Sequence, residues 1–275
     1  MNLPAYDSKD HDVLDYILPN GSRVDIHQDN ASADSTGRTI WLGAQVLAVY
    51  LWDLFGANSA LASSSGAGVR RQSIVDVGAG TGLTSLSLAS IGYEVLATDL
   101  DLIVNGILDQ NIKANQERLR INGSNQPRLA TKVLDWFTSP NEWEWTPSTF
   151  EPPFNLIVTA DTVYDPELSQ PLLRTLHGLA SSPHPPRSSA SPSSSAPLVY
   201  VALEARDPTL VTEFLESAER DWNFKCSRVD HSKLKKLVEA KANGLGWEEE
   251  STWEGVEIWK LKLRKVIEKK RRTER

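Results

Sequence analysis

Apolar residues along this chain fall into two patterns: short β-branched runs, and longer stretches in which they recur every three or four positions. Runs of the first kind occupy residues 73–77, 94–98, 130–134, 155–159, 197–203, 223–229 and 255–263. Their near-continuous apolar character fits strands buried on both faces, as in parallel sheets. Helical spacing fills 83–91, 102–118, 167–179 and 209–220, between successive strands. Strand, helix, strand with short links predicts right-handed crossovers and a doubly wound α/β sheet of seven strands. No obvious long crossover helix separates the last two strands, so one of them is a candidate antiparallel edge strand.

Ahead of this unit, residues 41–55 place Leu42, Val46, Val49 and Leu54 on one helical face. The pattern predicts a helix that buries this stripe on the sheet or covers a cleft beside it. Residues 20–37, 58–71 and 181–197 show neither period and read as irregular. The last of these, SSPHPPRSSASPSSSAP, has almost nothing to bury and reads as a disordered loop inserted between core elements. The organisation is thus an N-terminal extension over 1–40, a core domain over 41–263 interrupted at 181–197, and a basic tail over 264–275.

Composition narrows the class. With 275 residues, 40% of them hydrophobic, the chain has material for one large α/β domain. One cysteine, Cys226, can form neither an intrachain disulfide nor a cysteine-based zinc cluster, and it reads as structural. The five histidines form no short-spaced pair, and no metal is assigned. No apolar run reaches membrane-spanning length, and the polar start is unlike a signal peptide. The expectation is a soluble, monomeric protein of the cytoplasm, with the nucleus as a second location.

The net charge of −7 is unevenly placed. Residues 260–275 hold nine Lys/Arg against two Glu, whereas 1–259 carry 20 Lys/Arg against 34 Asp/Glu, a net −14. An acidic body argues against nucleic-acid binding and could attract a basic protein. The tail reads either as a solvated charge run or as a contact or nuclear-targeting patch.

The most informative segment joins the first of the seven strands to its helix through Gly78, Gly80 and Gly82. Such a turn brings backbone close to a ligand at a helix N-terminus. Asp99 ends the next strand, where a carboxylate can accept hydrogen bonds from both hydroxyls of a ribose. The same logic serves nicotinamide dinucleotides, but their third glycine would fall at position 83, which is leucine. Asp76 also stands two residues before Gly78, a poor neighbour for a pyrophosphate and a good one for a cationic amino group. S-adenosylmethionine has such a group, a ribose and no phosphate, and is the favoured cofactor; a dinucleotide is the alternative.

Asp135 and Trp136 close the third strand, where the acid could accept an adenine amino group while the indole packs the ring face. Ordinary strand-end packing is the bland alternative, and the same choice holds for Trp41. The fourth strand delivers Ala160 and then Asp161-Thr-Val-Tyr164 to the carboxyl edge of the sheet, where open α/β sheets bind ligands. Ala160 is placed with the cofactor residues. Asp161 and Tyr164 could orient an amine, the acid by charge and the ring by cation–π attraction. Asp165, Pro166 and Glu167 suggest a helix cap instead.

In these features the chain resembles the seven-stranded methyltransferases of the family-16 type, which include protein-lysine methyltransferases. The resemblance spans most of 36–263. It rests on Gly37-Arg-Thr-Ile-Trp41-Leu-Gly-Ala44, Val75-Asp-Val-Gly-Ala-Gly-Thr-Gly82, Asp99, Asp135-Trp136 and Asp161-Thr-Val-Tyr164. It implies strand order 3-2-1-4-5-7-6 with strand 7 antiparallel, Asp99 on the ribose, Asp135 and Trp136 at the adenine, and Asp161 to Tyr164 shaping the entrance for a target amine. It further implies a protein substrate, such as a translation factor, ribosomal protein or chaperone, methylated on a lysine. A small-molecule amine methyltransferase and a noncatalytic cofactor-binding protein are the competing readings.

Overall fold

Seven strands form one mixed sheet: β3 (Ser73–Val77), β4 (Glu94–Asp99), β5 (Leu129–Val133), β6 (Leu156–Ala160), β7 (Leu198–Glu204), β8 (Phe224–Arg228) and β9 (Val256–Leu263). Their order is β5-β4-β3-β6-β7-β9-β8. Counted within the sheet this is the 3-2-1-4-5-7-6 arrangement, with the last strand antiparallel to both of its neighbours. The computed structural model describes residues 2–30, 36–56, 72–119, 128–145, 150–182 and 196–264. Residues 58–71, most of 181–197 and the basic tail beyond 264 lie outside the described residues.

Alternation along the strands builds two cores, one on each side of the sheet. Ile74, Val95, Ala97, Val158, Ala202 and Ile258 face one cluster, while Val75, Val77, Leu96, Ile157, Val201 and Leu261 face the other. Both sets are buried, which is why the strands read as unbroken apolar runs. The first cluster is covered by α2 (Leu42–Phe55), α3 (Leu83–Ser90) and α5 (Asp109–Gln116); the second by α6 (Pro166–Ser181) and α7 (Pro208–Arg220). Residues 42–51 of α2 are buried except Ala44, so its apolar face is broader than the single stripe anticipated, and Leu54 is only partly covered. Tyr50 packs edge-on against Tyr200 of β7, with ring centroids 5.7 Å apart.

Three expectations need correction. The antiparallel strand is not at the edge: α8 (His231–Glu239), a short amphipathic helix capped by Asp230, returns the chain so that β9 enters between β7 and β8. Val256, Ile258 and Leu261 are fully buried and need partners on both sides, whereas Lys225, Ser227 and Arg228 of β8 tolerate the exposed edge. The stretch 20–37 is not wholly irregular either. It contains β2 (Arg23–His27), which pairs antiparallel with β1 (Val13–Ile17). The helix expected over 102–118 is interrupted: a short α4 (Asp101–Ile103) runs through a π turn at Val104–Leu108 into α5.

The hairpin is held by polar side chains of α5. Asn111 accepts from the His27 amide at 2.8 Å and donates to the His27 carbonyl at 3.0 Å. Asn115 does the same for Asp25, at 2.9 and 2.8 Å. One helical turn separates the two asparagines and two strand residues separate their targets, so the helix edge substitutes for a third strand. Gln28 continues the linkage, accepting from the Ile40 amide and donating to the carbonyls of Ser8 and His11.

Candidate active site

A cleft of about 780 Å3 opens at the carboxyl edge of the sheet. Its floor is the β3–α3 turn. Gly78, Gly80 and Gly82 have φ of +70°, +54° and +85°, a left-handed region that favours glycine. The amides of Gly78 and Ala79 both reach the Thr98 carbonyl at 2.9 Å, which fastens the turn to β4. At Gly80 the approach is also close, since a Cβ there would lie 3.0 Å from the Gly37 carbonyl oxygen. The segment leading into α2 therefore lies against the glycine turn.

Asp99 sits where the sequence predicts. Its two oxygens accept from the amides of Gly80 and Leu100, each at 2.8 Å. A carboxylate offers about four lone-pair positions, so both oxygens keep capacity for a ligand. Burial pushes this carboxyl up to about 6, against the two amide bonds. Asp76, almost wholly buried, accepts from the Ser85 hydroxyl at 2.7 Å; burial carries it up to about 7.

The walls come from strand ends. Asp135 accepts from the Phe137 amide at 2.8 Å, forming a local turn. Arg174 of α6 fixes that turn from behind by donating to the carbonyls of Trp136 and Phe137, at 2.6 and 2.9 Å. The Trp136 ring edge lies so near the glycine turn that a Cβ on Gly78 would stand 2.9 Å from it. Ala160, the last residue of β6, lines the same cleft.

Asp161 follows with φ +57°, a left-handed conformation that Asp tolerates better than most residues. The kink aims its carboxylate at the N-terminus of α2, where it accepts from Gly43 and Ala44 at 3.2 and 2.9 Å. Trp41, at the N-cap position, supplies no side-chain cap, so Asp161 satisfies free amides of the first turn from outside the helix. Burial pushes its carboxyl up to about 7, opposed by the Ala44 amide and reinforced by the nearby Glu204. The carboxylate thus holds α2, and as at Asp99 each oxygen keeps lone-pair capacity beyond its one amide. Tyr164 is half exposed at the mouth, its hydroxyl 3.3 Å from that of Thr36. Asp165 caps α6 through the Glu167 amide, as the local sequence suggests.

Sequence reasoning missed the contribution of β7. Its end and the following turn bring Glu204, Arg206 and Asp207 into the cleft. Asp207 caps α7 through the Thr209 and Leu210 amides. Arg206 pairs with Glu204 and lies 4.8 Å over the Trp41 ring centroid. The rule that ligands gather at carboxyl ends of strands could have marked these residues, since they end the fifth strand of the sheet. Among the described lining residues, Asp76, Asp99, Asp135, Asp161, Glu204 and Asp207 face a single basic side chain, Arg206.

Sheet order, glycine turn and carboxyl-edge cleft define the Rossmann-like fold of the methyltransferase class. The model of the lysine methyltransferase family matches residues 19–215, and the chain belongs to that family. Protein N-lysine methyltransferase METTL21A of Xenopus tropicalis is 30% identical over 142 residues, covering 52% of this chain and 54% of that protein. The Mus musculus METTL21A is 31% identical over 144 residues, covering 52% and 60%. Methyltransferase-like protein 22 of Homo sapiens is 28% identical over 159 residues, covering 54% of this chain and 35% of its own length. The match therefore spans about half the length of the METTL21A relatives and about a third of the last. Among solved structures, an O-methyltransferase from Bacillus cereus in complex with SAH aligns with TM-score 0.46 and 13% identity over 79% of this chain and 80% of that one. Magnesium protoporphyrin IX methyltransferase from Synechocystis with bound SAM aligns with TM-score 0.43 and 13% identity over 81% and 80%.

Proposed function

We propose that this chain is an S-adenosylmethionine-dependent protein N-methyltransferase whose acceptor is a lysine side-chain amine. The observation that carries this is the charge of the cleft: six carboxyl groups against one guanidinium line its described surface. A nicotinamide dinucleotide would bring a pyrophosphate into that field, whereas a sulfonium nucleoside and an amine substrate both bring positive charge. Family membership supports the same acceptor.

The residues present fit the cofactor. The Gly78–Gly82 turn, in left-handed backbone and packed close against Thr162, Trp136 and Gly37, lines the cleft with main chain; Asp99 is poised for ribose hydroxyls, and Asp76 suits an amino group directly or through water. Asp135 and Trp136 would flank the adenine, Trp41 would close the cleft from the α2 side, and Ala160 adds little bulk at the strand end. When bound, the cofactor supplies an electrophilic methyl group open to in-line displacement.

No covalent enzyme nucleophile is needed for that displacement. The protein has to dock the lysine, favour its neutral form by removing it from water, and align its lone pair, so positioning supplies much of the rate. Asp161 acts as a positioning residue through α2, and Tyr164 shapes the mouth through which the side chain enters. Translation factors, ribosomal proteins and chaperones are the acceptor classes to try first. Incubation with isotopically labelled S-adenosylmethionine and a protein extract should label a few proteins and yield methyllysine on hydrolysis. Label confined to small molecules, or none at all, would overturn the proposal.

A further inference from the structure

The six cleft carboxyl groups differ in what holds them. Asp99 and Asp161 each have both oxygens on backbone amides, and Asp207 accepts two amides of its own helix. Asp135 accepts from Phe137, and Asp76 is buried against Ser85. Glu204 has a different kind of partner: the guanidinium of Arg206, two positions along, whose side chain is 58% exposed. Five of the acids are therefore anchored by backbone amides or a buried hydroxyl, and the sixth is paired with a side chain that is mostly in solvent.

That guanidinium also lies 4.8 Å over the Trp41 ring centroid, and the Lys9 ammonium lies 5.2 Å from the same centroid. The indole is fixed, because its Nε1–H donates to the Thr36 carbonyl at 2.8 Å, and α2 behind it is held by Asp161. A carboxylate beside the face of a tethered indole is a cation seat, with ion pairing on one side and cation–π attraction on the other. It opens into the same cleft as the glycine turn.

We propose that Glu204 and the Trp41 ring form the seat where the substrate's lysine first docks as an ammonium, before it gives its proton to water and moves on to the methyl donor, and that Arg206 is a resident cation that occupies this seat until the substrate displaces it. The assignment rests on the lysine reading above, and it adds a specificity element: a target must out-compete an internal guanidinium, which disfavours weakly bound cations. An exposed ion pair and one cation–π contact are each modest, so the resident is displaceable.

The test titrates the full chain, without cofactor, with Nα-acetyl-lysine amide, and separately with S-adenosylmethionine. Arg206→Ala should tighten binding of the lysine probe by roughly three- to tenfold, the amount expected from removing two such modest contacts. Arg206→Lys should give an intermediate value. Glu204→Gln should weaken probe binding by roughly two- to fivefold in the Arg206→Ala background. S-adenosylmethionine affinity and the melting temperature should stay near wild type in the Arg206 variants, since that side chain is mostly in solvent. Unchanged or weakened probe binding in Arg206→Ala, or probe binding that Glu204→Gln leaves undiminished in the Arg206→Ala background, would overturn the assignment. If the probe behaves as expected while S-adenosylmethionine fails to bind, the seat stands and the methyl-transfer proposal falls; the two failures are thereby distinguishable.

Discussion

Asp161 and Ala44, 117 positions apart in the chain, are joined by a 2.9 Å hydrogen bond from the Ala44 amide to the Asp161 carboxylate. Together with the neighbouring bond to Gly43, it locks the end of β6 to the start of α2 and sets where Trp41 stands. Asp161→Ala leaves two amides of the first turn without this acceptor and should cost about 1–3 kcal/mol in denaturant unfolding. Gly43→Ala should act in the same direction despite the gain in helix propensity of roughly 1 kcal/mol, because the new Cβ would sit 2.5 Å from the Asp161 Oδ1. A neutral or stabilising Gly43→Ala would show that the contact is not what holds the helix.

Asp76 gives a pH dependence with a definite sign. Its carboxyl is raised by burial from the ordinary value near 3.8 to about 7, so the folded protein binds this proton more tightly than the unfolded chain does. The resulting stabilisation is complete below about pH 4 and drains away as pH rises through 7. Asp76→Asn, which can still accept from Ser85, should therefore raise the melting temperature of the cofactor-free protein at pH 8 and flatten its pH profile. Melting curves at pH 5 and pH 8 for both proteins decide this.

The same carboxyl groups should make cofactor binding proton-linked. A cationic amino group near Asp76 favours the ionised acid, so S-adenosylmethionine should bind more tightly at pH 8 than at pH 6 and release protons as it does. Calorimetry in two buffers of different ionisation enthalpy reads the proton count directly. Affinity that rises on acidification would contradict the placement of the amino group.

Asp99→Ala removes the proposed ribose acceptor and also releases Gly80 and Leu100. We expect S-adenosylmethionine affinity to fall by about tenfold or more, equivalent to roughly 1.4 kcal/mol, with Asp99→Asn falling between it and wild type. Equal affinities across the three proteins would remove Asp99 from the binding site.

Tyr164→Phe loses one 3.3 Å contact on a half-exposed ring. Stability should change by less than about 0.5 kcal/mol and cofactor affinity should hold, while methylation of the protein substrate weakens. Steady-state kinetics with varied substrate protein would reveal the effect, and kinetics identical to wild type would rule the hydroxyl out of the mouth.

The sheet and the glycine turn were legible in the sequence because they depend on local pattern: apolar runs, three glycines, and an acid at the next strand end. What escaped depends on residues brought together from far apart. Asn111 and Asn115 look like an ordinary polar helix face, and only the hairpin edge beside them makes them buried. The alternation of Val24 and Ile26 was visible but spans five residues, too few to stand out from a loop. Asp161 was marked as functional by its position, yet nothing near it in the chain indicates that its carboxylate would be held by a helix more than a hundred residues earlier. Glu204 and Arg206 were hidden for a different reason: a strand-end acid followed by a base is common, and the indole that gives the pair meaning belongs to α2.

Because β9 runs against its neighbours, the chain leaves the sheet at its far pole. Val256 stands opposite Glu204 at the cleft edge, and Lys262 opposite Leu198 at the other, roughly 20 Å away. Arg264 is tethered there by its amide to Asn223 and by its guanidinium to Glu219. Arg264, the last described residue, thus stands at the pole of the sheet opposite the cleft.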